Sequence, residues 1–330
     1  MDTILAGDIG GTNTRLALVD AADPATHRFS RIYPSGDYES LEAIVDRFVA
    51  EARDELQEFK PQRVGMGIAG PVDGRVAQVT NLPWRIDADR LSERLGADRV
   101  ILLNDFTAIS YAIPHLAAGD LHKLGRGEPV AQEPIAVLGA GTGLGEGFLV
   151  WSGERYRSIA SEGGHTDFAP RNPLEIRLLQ YLLGKFGRVS YERVLSGRGL
   201  VSIYEFFRDM EGMEEPADLA EEMRHNDPAA VISKRGMARE NPICDRALDL
   251  FCVVYGAEAG NLALKTLAKG GVYLSGGIAA KILPRIEEGG FRYAFEQKGR
   301  FTAFLESVPT WVITHPQPGL LGAALAAAEL

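Results

Sequence analysis

Leu5-Ala6-Gly7-Asp8-Ile9-Gly10-Gly11-Thr12-Asn13-Thr14-Arg15-Leu16-Ala17-Leu18 opens as an apolar strand, breaks at a glycine turn carrying a carboxylate and hydroxyls, and resumes as a strand. Such a turn suits a polyphosphate. Gly10 and Gly11 let backbone N–H groups approach it, Thr12 and Asn13 add side-chain donors, and Asp8 can hold a hydrated magnesium ion. A tight hairpin without a ligand is the other reading of this segment alone. Neither G-x-x-x-x-G-K-[ST] nor G-x-G-x-x-G is present here, and Arg15 to Val19 continues as a strand where those motifs lead into a helix.

The pattern returns 131 residues later. That offset lays Ile4-Leu5-Ala6 on Ile135-Ala136-Val137, Gly10 on Gly141, and Leu16 to Val19 on Gly147 to Val150, with Gly139-Ala140-Gly141-Thr142-Gly143-Leu144-Gly145 as the second turn. A repeat centred on so unusual a turn predicts two related domains, each offering a glycine hairpin to one ligand.

A length of 330 residues allows about two domains, and 45% hydrophobic with 24% charged residues is ordinary for a globular chain. The formal net charge of -10, without a basic cluster, argues against nucleic acid as a partner. The N-terminus carries no basic segment followed by an apolar core, and no apolar run of 18 residues occurs, so a cytoplasmic protein without a membrane partner is expected. The two cysteines, Cys244 and Cys252, fall in a predicted helix about 12 Å apart along its axis, too far for a disulfide.

The first third reads as an α/β domain. Ser40 can cap a helix with apolar residues at 41, 44, 45, 48, 49, 52, 56 and 59, and Val64 to Ile68 and Val100 to Leu103 read as buried strands. The second half is mostly helical between Pro173 and Leu267. Residues 208 to 242, charged and with little apolar periodicity, are expected as a solvated excursion, and a helix opening at Asn241-Pro242 is expected between domains. Gly270 to Ala279 reads as a buried strand ending in Gly276-Gly277, where an adenine ring or a closely packed helix fits equally well.

Asn104-Asp105 stands at the C-terminal end of a strand, where open α/β sheets place ligand groups. Asp105 is a candidate base, ionised at pH 7 if its pKa is the ordinary one of about 3.9, and equally a candidate N-cap. In Ser161-Glu162-Gly163-Gly164-His165-Thr166-Asp167 a carboxylate, an imidazole and hydroxyls converge on a glycine turn, which suits a ligand rich in hydroxyls. A zinc site is the competing reading of His165, and no cysteine lies nearby to support it. Glu192 alone reads as an exposed helix glutamate.

Taken together, Gly7-Asp8-Ile9-Gly10-Gly11-Thr12-Asn13, Asn104-Asp105-Phe106-Thr107-Ala108, Gly139 to Gly145, Glu162-Gly163-Gly164-His165, Val194-Leu195-Ser196-Gly197 and Ser275-Gly276-Gly277-Ile278 resemble the bacterial glucokinase family of the enteric type, within the actin-like ATPase superfamily. The likeness runs over nearly the whole chain. It implies an α/β fold of two ribonuclease-H-like domains around a central cleft, a small one of residues 1–112 plus 308–330 and a large one of 113–307. It also implies MgATP-dependent phosphorylation of glucose at the 6-hydroxyl by a cytoplasmic homodimer, with a kinase for another hexose or amino sugar, or an inactive sugar sensor, as alternatives.

The same resemblance assigns residues. Asp105 corresponds to the catalytic base, and Asn104, Asp105, Glu162, His165 and Glu192 to sugar ligands. Gly7, Asp8, Ile9, Gly10, Gly11 and Thr12, with Gly141, Thr142 and Gly143, correspond to the phosphate clamps. Asp8 falls on the magnesium side, and Gly276 and Gly277 on adenosine. Thr166 to Pro173 lacks the cysteines of the zinc motif in related repressors and kinases, and no helix-turn-helix precedes Thr3, so a DNA-binding regulator is not expected.

Overall fold

Strand β1, Thr3–Ile9, is buried on both faces and paired along both edges, and the first sheet is built outward from it. Its antiparallel partner is β2, Asn13–Asp20, which pairs in turn with β3, Asp23–Pro34; on its other side lie β4, Arg63–Ile68, and β5, Arg99–Asn104, both parallel. The sheet order is β3-β2-β1-β4-β5. Only Phe29 and Tyr33 of β3 are buried, so this edge strand shows no alternation by which a sequence reading could find it. The computed structural model describes residues 2–56 and 59–330.

Helix α1, Leu41–Leu56, covers one face of this sheet with Leu41, Ile44, Val45, Phe48 and Ala52. Ser40 Oγ accepts the Ala43 N–H at 3.3 Å, as its position before the apolar stripe predicts. Residues 57 and 58, inside the stretch expected to continue the helix, lie outside the described residues. The C-terminal helix Pro318–Ala328 and helix α2, Asp105–Ala112, cover the other face. Glycine permits that contact: a Cβ on Gly65 would overlap the Ala323 carbonyl, and one on Gly322 would overlap the Ala108 carbonyl.

The second sheet contains β6, Leu121–Lys123; β7, Ile135–Ala140; β8, Leu144–Trp151; β9, Tyr156–Ser161; β10, Gly271–Ser275; and β11, Thr310–Ile313. Its order is β9-β8-β7-β10-β11-β6. Apart from the added β6, this repeats the first sheet: an antiparallel three-strand meander followed by two parallel strands. The repeat read from the sequence is therefore a repeat of topology. One detail differs. Gly7 faces Leu16 in the first hairpin, whereas Leu138, its equivalent, faces Glu146 and not Gly147, because the second turn is one residue shorter.

The chain divides into two compact units, Met1–Ala117 with His315–Leu330, and Ala118–Thr314. The sequence reading put these crossings at 112/113 and 307/308. Strand β11 accounts for the later return, because it pairs with β10 through Val272 and Thr310 and with β6 through Trp311 and Lys123.

Helix α3, Pro242–Thr266, is capped by Asn241 and runs through the core of the second unit, where Phe251, Tyr255, Ala259 and Leu262 are buried. It does not lie between domains as expected. It is long and apolar enough to cross a membrane by length and composition, but its apolar window is mostly buried inside the unit. The 208–242 segment is also more ordered than its composition suggests. Helices Ala217–His225 and Pro228–Met237 bury Leu219, Val231 and Ile232, and the charges are paired, Arg177 with Glu211 at 2.7 Å and Arg235 with Glu222 at 2.6 Å. Few apolar anchors suffice there because side-chain pairs take up the polar surface.

Gly322→Ala should destabilise by about 1–3 kcal/mol through overpacking against a backbone carbonyl, even though alanine is the better helix former by about 1 kcal/mol. Gly36→Ala, with open space at its Cβ, is the control. Urea midpoints of the two variants against the parent check this; an unchanged midpoint for Gly322→Ala would contradict the packing.

Candidate functional site

The turn after β1 is held from behind. Ser35 Oγ donates to the Gly10 carbonyl at 2.7 Å, Ser35 N–H donates to the Thr12 carbonyl at 2.9 Å, and Gly10 N–H closes on the Asn13 carbonyl at 3.0 Å. Among the described residues, the N–H groups of Gly11 and Thr12 find no backbone acceptor. The turn thus has the Gly10, Thr12 and Asn13 carbonyls occupied and two donors unused among the described residues, the polarity an anion needs. Gly7 and Ile9 contribute differently. A Cβ on Gly7 would overlap Met66 Sδ, and the Ile9 side chain is fully buried, so neither offers a ligand more than main chain.

Asp8 lies opposite Arg15 in the hairpin, with Arg15 Nη1 at 3.3 Å. Burial raises its pKa and Arg15 opposes the rise. The first turn of the C-terminal helix approaches it closely enough that a Cβ on Gly319 would stand 3.5 Å from the carboxylate. Sequence reasoning had no signal for Ser35 or for this approach, since both come from segments distant in the chain.

At the end of β5, Asn104 caps α2: its Oδ1 accepts the Phe106 N–H at 3.0 Å, and its Nδ2 donates to the Gly70 carbonyl at 3.1 Å. The capping role considered for Asp105 therefore belongs to its neighbour. Asp105 occupies the first helical position, with Oδ1 accepting the Phe106 N–H at 2.8 Å. Burial pushes its pKa up to about 6, the Phe106 bond pulls down, and the negative charge of Asp8 adds to the rise. This corrects the expectation of an ordinary carboxylate. Two mutually repelling carboxyls in a unit whose glycine turn keeps unused N–H donors form a set that a phosphate-bound divalent cation suits: magnesium is commonly held by one or two carboxylates plus phosphate and water.

The second unit repeats the turn with different supports. Gly141 N–H donates to the Gly143 carbonyl at 2.8 Å, and the Gly141 carbonyl accepts the N–H of Gly197, which opens the helix Gly197–Asp209, at 2.9 Å. Thr142 and Gly143 have no backbone acceptor among the described residues. Glu192, far from being a free helix glutamate, stands in the short turn Tyr191–Arg193 and accepts the Leu144 N–H at 3.0 Å. A Cβ on Gly143 would come within 2.5 Å of its Oε2, so that glycine makes room for the carboxylate.

Glu162 and His165 flank the short turn Gly163–His165, with His165 Nε2 at 3.9 Å from Glu162 Oε2 and both side chains largely exposed. An isolated bridge between Asp167 and Ser190, with Tyr191 N–H donating to the Thr166 carbonyl at 3.0 Å, ties this turn to the one carrying Glu192. Within the second unit the fold thus brings together three of the residues picked from sequence. At the end of β10, Gly276 takes a φ of 84°, where a Cβ would press on the Ala140 carbonyl, and Gly277 has open space at its Cβ. This fits a flat ring against bare backbone.

The glucokinase family model matches residues 5–330. This chain belongs to the glucokinase family. It is 45% identical to the glucokinase of Nostoc punctiforme, an alignment that covers 100% of both chains. Among solved structures it is similar to a glucokinase from an Antarctic psychrotroph, with 31% identity, a TM-score of 0.87 and 100% of each chain covered. A glucokinase from Balamuthia mandrillaris in complex with glucose is 25% identical, with a TM-score of 0.81 over 100% of this chain and 94% of that one. The fold is accordingly the actin-like ATPase fold of this family.

For this glucokinase-family chain, Glu192→Ala should release the Leu144 N–H. Losing a bond to a charged acceptor is worth about 1.5–3 kcal/mol, or roughly 10- to 100-fold faster exchange of that amide. Hydrogen exchange at Leu144 checks it, and unchanged protection would show that the hairpin does not depend on Glu192.

Proposed function

We infer that the protein transfers the γ-phosphoryl group of ATP to the 6-hydroxyl of glucose. The observation that carries this reading is Asp105: a buried carboxyl with a pKa near 6, in the same unit as a glycine turn with unused N–H donors, in a chain of the glucokinase family. A base poised just below neutrality is ionised at pH 7 yet basic enough to accept a hydroxyl proton as attack proceeds.

Gly11 and Thr12, and Thr142 and Gly143, would bind phosphate oxygens through backbone N–H groups, in turns that the Gly10 and Gly141 N–H groups close. Gly276 and Gly277 would lie against adenosine, and Asp8 would hold magnesium through water. When bound, MgATP supplies the phosphoryl group and the cation that offsets its charge. Asn104, Glu162, His165 and Glu192 orient the sugar by meeting its hydroxyls with donors and acceptors, and Asp105 orients the 6-hydroxyl and takes its proton. The same reading makes the protein a cytoplasmic homodimer, an assembly that analytical ultracentrifugation tests.

Release of ADP from MgATP, measured with glucose, mannose, fructose, galactose and N-acetylglucosamine, tests the assignment. Glucose-dependent release supports it; turnover only with another sugar replaces the substrate, and no turnover despite heat of glucose binding makes the chain a sensor.

Asp105→Ala should lower kcat by about 10²- to 10⁴-fold while glucose affinity stays within about tenfold. Because the active form is the ionised one and burial raises the pKa, kcat/KM for the parent should fall as pH drops through about 6. Normal turnover in Asp105→Ala, or a profile flat down to pH 5, would remove Asp105 from the role of base.

A further inference from the structure

Glu146 occupies the position in the second hairpin that the buried Leu16 holds in the first. It is a carboxyl where the repeat has a core leucine. It faces Leu138 on one neighbouring strand and Ser161 on the other, and is only 3% exposed. Its Oε2 lies where a Cβ on Gly163 would overlap it, and its Oε1 is buried with no hydrogen-bond partner among the described residues. A buried carboxylate oxygen without a donor costs several kcal/mol, a cost that protonation lowers.

The groups around it explain which carboxyl holds the proton. Helix α3 presents Glu258, fully buried, whose Oε2 accepts from Asn261 Nδ2 at 2.7 Å and whose Oε1 accepts from Lys265 Nζ at 3.2 Å. Both oxygens of Glu258 are engaged, one by a cation. The same helix brings Tyr255, whose hydroxyl lies between the Ala140 N–H and the Leu138 carbonyl. Tyr191 and Lys298 stand beyond Glu258, both hydrogen-bonded to Asn261. The β9 end and its turn present Ser161, which accepts the Gly163 N–H at 3.0 Å, and Gly163 itself. None of these is seen to donate to Glu146 Oε1, and the charges acting on its carboxyl are those of Glu258 and Lys265.

We propose that Glu146 is a positioning residue for the sugar-binding turn: its protonated carboxyl, beside the lysine-paired Glu258, is the seat on which Gly163 rests, and so sets Glu162 and His165. This rests on the reading of that turn as a glucose site. The buried environment and the charge of Glu258 push the pKa of Glu146 up to about 7, with Lys265 opposing. Above that pH a second negative charge without a donor is forced against Glu258, and the turn loses its seat.

The test is glucose Kd by titration calorimetry without ATP, and kcat and KM for both substrates, from pH 6.5 to 8. If only the protonated form binds tightly, its fraction falls from about three-quarters to about one-tenth over this range, weakening glucose binding by about eightfold. Glutamine keeps the shape without the charge, so E146Q should bind glucose as the parent does at pH 6.5 and show no weakening at pH 8. E146A should bind glucose about tenfold more weakly at every pH, with KM for ATP unchanged. Parent affinity that is flat with pH, or E146Q that retains the parent's pH dependence, overturns the proposal, and E146Q decides alone if the alanine variant does not fold. E162A measured alongside separates the two readings: if it leaves glucose affinity unchanged, the turn is not the sugar site, whereas weakened binding in E162A with parent-like behaviour of Glu146 variants refutes only the positioning role.

Discussion

The N–H groups of Gly11 and Thr12 in one glycine turn, and of Thr142 and Gly143 in the other, have no backbone acceptor among the described residues, and much of the surrounding structure serves to keep them so. An unpaired donor is useful only if the chain cannot relax to pair it. Each turn therefore follows a strand buried on both faces and paired on both edges, β1 in one unit and β7 in the other. The Gly10 and Thr12 carbonyls are engaged by Ser35 in the first turn, and the Gly141 carbonyl by Gly197 in the second.

The same sheets set the electrostatics of the acidic groups. Asp105 is delivered by a parallel strand to the start of a helix, and because Asn104 takes the capping role, Asp105 stays in a desolvated position that raises its pKa. Asp8, within β1, is raised for the same reason, and Arg15 across the hairpin limits the rise. Close glycine packing of the C-terminal helix on β4 and α2 completes this environment. Fold and chemistry are coupled here through burial, since the contacts that stabilise the first unit are those that exclude water from its carboxyls.

The second unit shows how one residue of turn length redirects chemistry. The shorter hairpin shifts pairing so that Glu146 lies opposite Leu138 and points with it toward α3, where the buried Glu258 is paired with the half-exposed Lys265. The adjacent turn Gly163–His165 is thereby built on polar ground, and Glu192 reaches across to the neighbouring hairpin through the Leu144 N–H.

Much of this was legible in the chain itself. The strand-glycine-strand pattern, its repeat, the caps at Ser40 and Asn241, and the clustering of Glu162 with His165 follow from local periodicity and turn chemistry, and motif order indicated the family. What pairing between distant segments controls was not legible: the exposed edge strand β3, the assignment of β11 to the second sheet, the paired helices within 208–242, and Ser35 behind the first turn. The pKa of Asp105 and the setting of Glu146 belong to that second group. A sequence specifies which groups ionise, whereas desolvation and the charges brought alongside exist only once the chain has folded.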